Sequence, residues 1–155
     1  MLSRRKVLIG LTALALAGVR KSFADGPTIL VTKDPNCSCC TGWVEHLREA
    51  GFAVVVRNVA DLAKIKARLG VPSDLAACHT AEVSSYVIEG HVPASALRRF
   101  LKEKPRAKGL AVAGMPVGSP GMETPNSPPE EYDVILFGST RRTYARFKGA
   151  VELPN

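Results

Sequence analysis

The chain has 155 residues, of which 21 are basic and 14 acidic, so its formal net charge is +7. Five of the basic residues and none of the acidic ones lie in the first 24 positions, which leaves residues 25–155 with a net charge of only +2. A charge so close to neutral gives no electrostatic case for a nucleic-acid partner. The 131 residues of that part are enough for one domain with its own core.

The first 24 residues have the pattern of an export signal. A basic start with the pair Arg4-Arg5 precedes an apolar stretch over residues 7–19, and Ser22-Phe23-Ala24 has the small residues of a cleavage site. The apolar stretch is too short for a permanent membrane span. The paired arginines resemble a twin-arginine signal, with an ordinary Sec leader as the alternative. We therefore expect an exported mature chain that begins near Asp25 and does not span a membrane.

Hydrophobic periodicity predicts that strands and helices alternate in the mature chain. Strands are predicted over residues 28–31, 52–56, 86–88, 110–112, 132–137 and 143–147, and helices from Cys40 to a stop at Gly51, from the cap Asp61 to Leu69, and over 93–103. The last two strands form a hairpin across residues 138–140. Residues 114–129 are rich in Pro, Gly and Ser and form the one long loop, a length that is usually functional or disordered.

Three of the four cysteines lie within four residues, at Cys37, Cys39 and Cys40, and the fourth, Cys78, directly precedes His79. Three thiols so close together cannot all point into a core. Thiolates are the ligands that soft metals prefer, copper(I) above all. A pair of structural disulfides is the alternative in an exported protein, but a bridge across so short a loop constrains the unfolded chain little.

The order strand, cysteine loop, helix, strand predicts a thioredoxin-like α/β fold with a central mixed β-sheet flanked by helices. It places the Cys-x-x-Cys pair Cys37 and Cys40 at the start of the first helix. There, free N–H groups and the helix dipole stabilise thiolates. Thioredoxin-like folds also place a cis-proline opposite the cysteines, and Met115-Pro116 is the candidate.

Four motifs make a more specific resemblance possible. They are Cys37-Ser-Cys39-Cys40 with Trp43 and His46-Leu47, then Cys78-His79-Thr80-Ala81, then Glu89-Gly90-His91-Val92-Pro93-Ala94, and finally Gly114-Met115-Pro116 with Gly118-Ser119-Pro120-Gly121-Met122-Glu123. With them, the chain resembles the CopG-type copper-resistance family of exported bacterial proteins from about Ile29 to Phe137. The resemblance implies a thioredoxin-like fold in the periplasm that binds copper, as several ions bridged by cysteine sulfur, and a role in copper tolerance. Residues 141–155 carry no motif.

Eight residues are candidate metal ligands by their chemistry and position. They are Cys37, Cys39, Cys40, Cys78, His79, His91, Met115 and Met122. Imidazole, like thiolate, is a ligand that suits copper. His79 is placed between two predicted elements, and its alternative role is to orient the loop there. His91 lies between Gly90 and Val92-Pro93, where the backbone would hold it. Thioethers bind copper(I), although methionine more often serves as packing.

Other residues near the motifs are given structural roles. His46 is about 9 Å along the helix from Cys40, too far for one small site, and is expected to be half-buried. Trp43 lies on the apolar stripe of the same helix and is expected in the core. Glu82, Glu89 and Glu123 form no evident acid/base pair.

Two classes of function remain, and a metal-binding protein fits better than a classical enzyme. The first is a copper-binding protein that stores, passes on or buffers copper(I) or copper(II), with copper ions and other periplasmic copper-handling proteins as partners. The second is a thiol–disulfide oxidoreductase with Cys37 as nucleophile and Cys40 as resolving thiol. Cys39 would divert the mixed disulfide of such an enzyme, and the enzyme has no need of Cys78. A zinc site is a weaker alternative, because the usual paired ligand spacing is missing.

Overall fold

The computed structural model describes residues 26–154, so the predicted export signal and its cleavage site lie outside the described residues. The strands are β1 (Ile29–Lys33), β2 (Val54–Asn58), β3 (His79–Val83), β4 (Tyr86–Glu89), β5 (Gly109–Ala111), β6 (Glu131–Phe137), β7 (Arg142–Lys148) and β8 (Val151–Leu153). The helices are α1 (Ser38–Glu49), α2 (Leu62–Leu69) and α3 (Ala94–Glu103), with a 3₁₀ turn at Ser73–Leu75. None of the helices among these residues has the length and apolar character needed to cross a bilayer.

All eight strands form one mixed sheet in the order β2-β1-β3-β4-β5-β6-β7-β8. Strands β1 and β2 are parallel, as are β4 and β5, and every other neighbouring pair is antiparallel. The predicted α/β class with a mixed central sheet is therefore confirmed. The opening β1-α1-β2 unit is followed by β3, which pairs with β1, and by β4, which pairs with β3. This order is compatible with a thioredoxin-like arrangement.

Helices cover both faces of the sheet. The larger core joins α1 and α3 to one face, through residues such as Trp43 and Phe100. A smaller cluster lies on the opposite face, where Leu69 of α2 packs. Val87 and Ile88 of β4 belong to different clusters, because successive side chains of a strand point to opposite faces. We call these the α1 face and the α2 face.

The three predicted helices and six predicted strands are present, with shifts of at most two residues at their ends. Helix α1 begins two residues before the predicted start at Cys40. Asp61 caps α2 as predicted, because its carboxylate accepts from the N–H of Ala63 at 3.1 Å, and Gly70 ends the helix in the left-handed conformation. The region predicted as the long loop contains no helix or strand.

Strand β3 was not predicted, and the placement of His79 between elements is therefore corrected, whereas Cys78 does lie between elements, directly before β3. His79 is the first residue of β3, a central strand between β1 and β4. Its sequence has only Ala81 and Val83 as apolar residues, so periodicity gave no strand signal. The three-residue edge strand β8 was too short to be predicted.

The predicted cis-proline at Met115-Pro116 is wrong, because every peptide bond within residues 26–154 is trans. Pro116 instead begins a turn, in which its carbonyl oxygen accepts from the N–H of Ser119 at 3.1 Å. A trans bond is the default before proline, and this turn needs no other.

Candidate metal centre

The cysteine turn joins the end of β1 to the start of α1. Cys37 is the N-cap of α1, and its Sγ accepts from the backbone N–H of Cys40 at 3.3 Å. The ammonium group of Lys33 is buried under the turn and donates to the carbonyl oxygens of Asp34 (2.9 Å) and Cys37 (3.5 Å). A positive charge and a helix N-terminus thus both lie beside the cysteines, an environment that favours thiolates.

Cys37 and Cys40 form a disulfide, whereas Cys39 and Cys78 are free thiols. The Sγ of Cys39 lies 3.5 Å from that of Cys37 and 3.8 Å from that of Cys78. The four sulfur atoms all lie within 4.8 Å of one another. The fold therefore brings together two segments that are about forty residues apart in the chain. Cys78, directly before β3, occupies the position opposite the cysteine turn where we had expected a proline.

The imidazoles of His79 and His91 both lie close to the Sγ of Cys78. The Sγ of Cys78 lies 3.3 Å from Nδ1 of His79 and 3.1 Å from Nε2 of His91. Ligand atoms of Cys78, His79 and His91 form a second group within 4.8 Å. Both imidazoles are fully buried. Cys78 is thus shared between a group of four sulfurs and a group with two imidazoles.

The ring nitrogens show which atoms are available to a ligand. Nδ1 of His91 donates to the carbonyl oxygen of Pro120 at 2.8 Å, so the lone pair of His91 is on Nε2, which faces Cys78. Nε2 of His79 has no hydrogen-bond partner within residues 26–154, and its ring packs on Trp43 with 4.3 Å between centroids. A buried nitrogen without a partner is unusual. The nitrogen of His79 that faces Cys78 is Nδ1, so Nδ1 is the atom through which this imidazole could bind a metal at the sulfurs.

Burial controls the protonation of these three side chains. It lowers the pKa of His79 and of His91, so both imidazoles are neutral near pH 7, which is the form that binds metals. Burial also raises the pKa of Cys78 to about 12, and the neighbouring Cys39 contributes in the same direction. Cys78 is therefore a thiol in the metal-free protein, and a metal ion would have to displace its proton.

Residues 118–123, which we call the cover loop, pack directly on the first turn of α1. A Cβ on Gly121 would lie 2.5 Å from the carbonyl oxygen of Cys39, and one on Gly42 would lie 2.9 Å from the Cα of Gly121. Gly121 also has a φ of +87°, which glycine adopts without strain. This close contact holds the carbonyl oxygen of Pro120 in position to accept the hydrogen bond from Nδ1 of His91.

The eight predicted ligands divide into two sets. Four cysteines and two histidines are within the clusters described above. Met122 is partly buried in the cover loop, and Met115 lies just before that loop with 53% of its surface exposed. All eight stay predictions as metal ligands, and the structure brings six of them together.

The two residues given structural roles have them. Trp43 is fully buried in the core, and its Nε1 donates to the carbonyl oxygen of Val92 at 2.9 Å. His46 is half-buried, and its Nε2 accepts from the N–H of Ala94 at 3.0 Å, in the first turn of α3. This bond occupies the lone pair through which His46 could otherwise bind a metal.

Sequence reasoning missed the charged residues around the site. No role was predicted for Lys33, and Glu89 was given no acid/base partner. Glu89 is in fact fully buried and paired with Lys66 of α2. The two residues are 23 positions apart and belong to different elements, so no local pattern joins them.

Comparison with known proteins relates this geometry to a family. A family model described as "Protein of unknown function, DUF411" matches residues 75–122, which include Cys78, His79 and His91. Two solved structures are similar, forms 1 and 2 of a copper resistance protein CopG. Form 1 is 38% identical with a TM-score of 0.73 over 81% of this chain, and form 2 is 37% identical with a TM-score of 0.72 over 84%. Both are covered over their whole length. Among curated proteins there is no match. At this identity and coverage, the chain belongs to the CopG copper-resistance family.

Proposed function

We propose that this protein binds copper outside the cytoplasm as part of copper homeostasis or resistance. One observation carries the proposal: the Sγ of Cys78 lies 3.8 Å from Cys39 Sγ and 3.1 Å from His91 Nε2. A single sulfur therefore joins the thiols of the cysteine turn to two neutral imidazoles. Soft sulfur with imidazole nitrogen is a donor set that suits copper in either oxidation state. Relatives named for copper resistance support the choice of metal.

The number of donors favours more than one copper ion. Four sulfurs and two imidazoles exceed the about two or three soft donors that satisfy one copper(I). The distance of 3.8 Å between the Sγ atoms of Cys39 and Cys78 supports a site in which these sulfurs would be shared between ions. Met115 and Met122 would add thioethers from the loop that follows β5. Mixed sulfur and nitrogen ligation allows the bound copper to change oxidation state, and other periplasmic copper-handling proteins would supply or receive it.

The disulfide between Cys37 and Cys40 must open before all four sulfurs can bind metal. An external dithiol would reduce it by thiol–disulfide exchange, becoming a disulfide itself as it gives up two electrons and two protons. The two thiols formed here lose their protons to the solvent when the metal binds. The fully reduced protein is therefore the form that we expect to bind copper with full stoichiometry.

The test is the metal content of the reduced protein after exposure to copper and to zinc. We expect several copper ions per chain, fewer in Cys78→Ser and in His91→Gln, and copper retained in preference to zinc. His46→Gln is the matched control for the histidine variant, because His46 is half-buried but caps α3 instead of facing the sulfurs. Unchanged copper content after serine replacement of Cys37, Cys39 and Cys40 together would contradict the proposal.

A thiol–disulfide oxidoreductase is the second candidate, favoured by the disulfide at the start of α1. Cys37 is partly exposed and Cys40 is buried, as a nucleophile and a resolving thiol would be. The position of Cys39 argues against this function. Its Sγ lies 3.5 Å from that of Cys37, so its thiol would attack the mixed disulfide in competition with Cys40. We expect little activity in an insulin-reduction assay. Turnover like that of a thioredoxin would make this the better function.

A further inference from the structure

A buried polar network lies next to the segment that carries Cys78 and His79. The carboxylate of Glu89, at the end of β4, accepts from the backbone N–H of Ala77 at 2.7 Å and from the hydroxyl of Thr80 at 2.6 Å. It also forms an ion pair with Lys66 of α2, whose ammonium group donates to Thr80 Oγ1 at 2.7 Å. We call these four residues the Glu89 network.

The network and the sulfurs lie on opposite sides of the sheet. Glu89 alternates with Ile88 and pairs with Thr80, so the side chains of Glu89 and Thr80 point to the α2 face. His79 is one residue from Thr80, and its side chain contacts Trp43 on the α1 face. The network therefore holds the segment that carries Cys78 and His79 from the α2 face, and it leaves the α1 face free for the site.

One carboxylate fixes the chain on both sides of the ligand pair. Ala77 precedes Cys78 and Thr80 follows His79, and both donate to Glu89. The N–H of Gly90, the residue after Glu89, donates to the carbonyl oxygen of His79 at 3.2 Å. The chain from 77 to 80 is thus tied at three successive points to the end of β4.

Stability alone does not account for the charges in this network. A buried ion pair is commonly no more stabilising than apolar side chains of the same volume, because both charges lose their hydration. A carboxylate does, however, accept several hydrogen bonds at once with defined geometry, which an apolar side chain cannot do. The network is therefore suited to fixing the position of a peptide.

We propose that Glu89 is a positioning residue for the metal centre, which holds residues 77–80 so that Cys78 and His79 face the cysteine turn before any metal binds. The inference about copper rests on the proposed function. The inference about the position of Cys78 concerns the metal-free protein and can be tested there. Lys66 pairs with the carboxylate and holds it in place, and Thr80 completes its hydrogen bonds.

The first experiment measures how fast Cys78 is alkylated. In a Cys39→Ser background with the Cys37–Cys40 disulfide intact, Cys78 is the one free thiol of residues 26–154. We expect Glu89→Gln to raise the alkylation rate about tenfold, because a loosened segment opens more often. Glu82→Gln, on β3 beside Thr80, is the matched control and should leave the rate unchanged. Equal rates in the Glu89 and Glu82 variants, with the fold intact by circular dichroism, would overturn the inference.

A second variant covers the case in which Glu89→Gln does not fold. Thr80→Val preserves the shape of the side chain and the Lys66–Glu89 pair but removes one hydroxyl donor. We expect it to raise the alkylation rate of Cys78 by about threefold, in the same direction as Glu89→Gln. A folded Thr80→Val protein with the rate of the parent would count against the network as a positioning device.

The second experiment uses copper(I) affinity, measured by competition with a chelator, in a double-mutant cycle. We expect Glu89→Gln to weaken copper(I) binding about tenfold in the reduced wild-type chain and to have no further effect in the Cys78→Ser chain. A role in stability alone would lower the melting temperature and leave the affinity of the folded protein unchanged, which would overturn the inference. If the wild-type chain bound no copper, the proposed function would fail, and the alkylation rates would still decide the role of Glu89.

Discussion

Protonation links the buried side chains at Cys78 to the stability of the metal-free protein. Burial holds the pKa of His79 and of His91 below the ordinary value of 6.5 and raises that of Cys78 from 9.0 to about 12. The folded chain therefore binds fewer protons than the unfolded chain on the acid side of neutrality, and more on the alkaline side. The free energy of unfolding therefore rises with pH on the acid side of neutrality and falls with pH on the alkaline side.

We expect the free energy of unfolding of the metal-free protein with its Cys37–Cys40 disulfide intact to fall as pH drops below about 6.5 and to fall again as pH rises through 9. Urea denaturation across this range measures both limbs. His91→Gln should make the acid limb shallower, and Cys78→Ser the alkaline limb. Burial also raises the pKa of Tyr132, so part of the alkaline limb should persist in Cys78→Ser. A stability independent of pH on both sides would contradict the expectation.

At the scale of elements, amphipathic segments were predictable and buried polar ones were not. The helices were found because apolar residues recur at helical spacing, as Trp43, Val44 and Leu47 do in α1. Strand β3 was missed because its buried polar residues, His79 and Thr80, are held by partners distant in sequence. For the same reason the sequence indicated which cysteines and histidines form the site, but not the Lys66–Glu89 pair behind it.

The contact between the cover loop and α1 can be measured by comparing two glycines with the same φ of +87°. A Cβ on Gly51 would meet nothing within 4 Å, so Gly51→Ala should cost only backbone strain, about 1–2 kcal/mol. Gly121→Ala should lower the free energy of unfolding further, because its Cβ would press on the carbonyl oxygen of Cys39. It should also weaken copper binding by moving Pro120 away from His91. Equal losses of stability in the two variants would mean that the cover loop is not tightly packed.

At the scale of the whole molecule, β6 and β7 belong to the core although their sequence carries no site motif, whereas β8 is a largely exposed edge strand. Phe147 of β7 is fully buried and stacks on Tyr132, and Ala145 is buried beside it. The predicted hairpin of β6 and β7 is confirmed by the antiparallel pairing of these strands. It could be predicted because its alternating apolar residues and its glycine turn are local signals. Its pairing with β5 could not be predicted from such signals, since it joins segments that are distant in sequence.

This division of roles predicts that stability and copper binding can be changed separately. Phe147→Ala should lower the free energy of unfolding by about 3–5 kcal/mol, because it opens a cavity in the core. The copper content of the protein that remains folded should be unchanged. Val151→Ala, at a side chain that is 67% exposed, is the control and should change stability by less than about 0.5 kcal/mol. Chemical denaturation and elemental analysis of both variants give the comparison.

The disulfide at the start of α1 has a consequence for how oxidants and metal would compete. A sulfur atom of Cys37 or Cys40 can be covalently bonded to its partner sulfur or coordinate an ion as a thiolate, but not both. Under the proposed function, copper bound at these atoms therefore opposes oxidation of the pair, and oxidation expels copper by the same thermodynamic factor. Copper starvation and oxidative stress would drive the chain towards one common state, in which these two sulfurs are closed to metal.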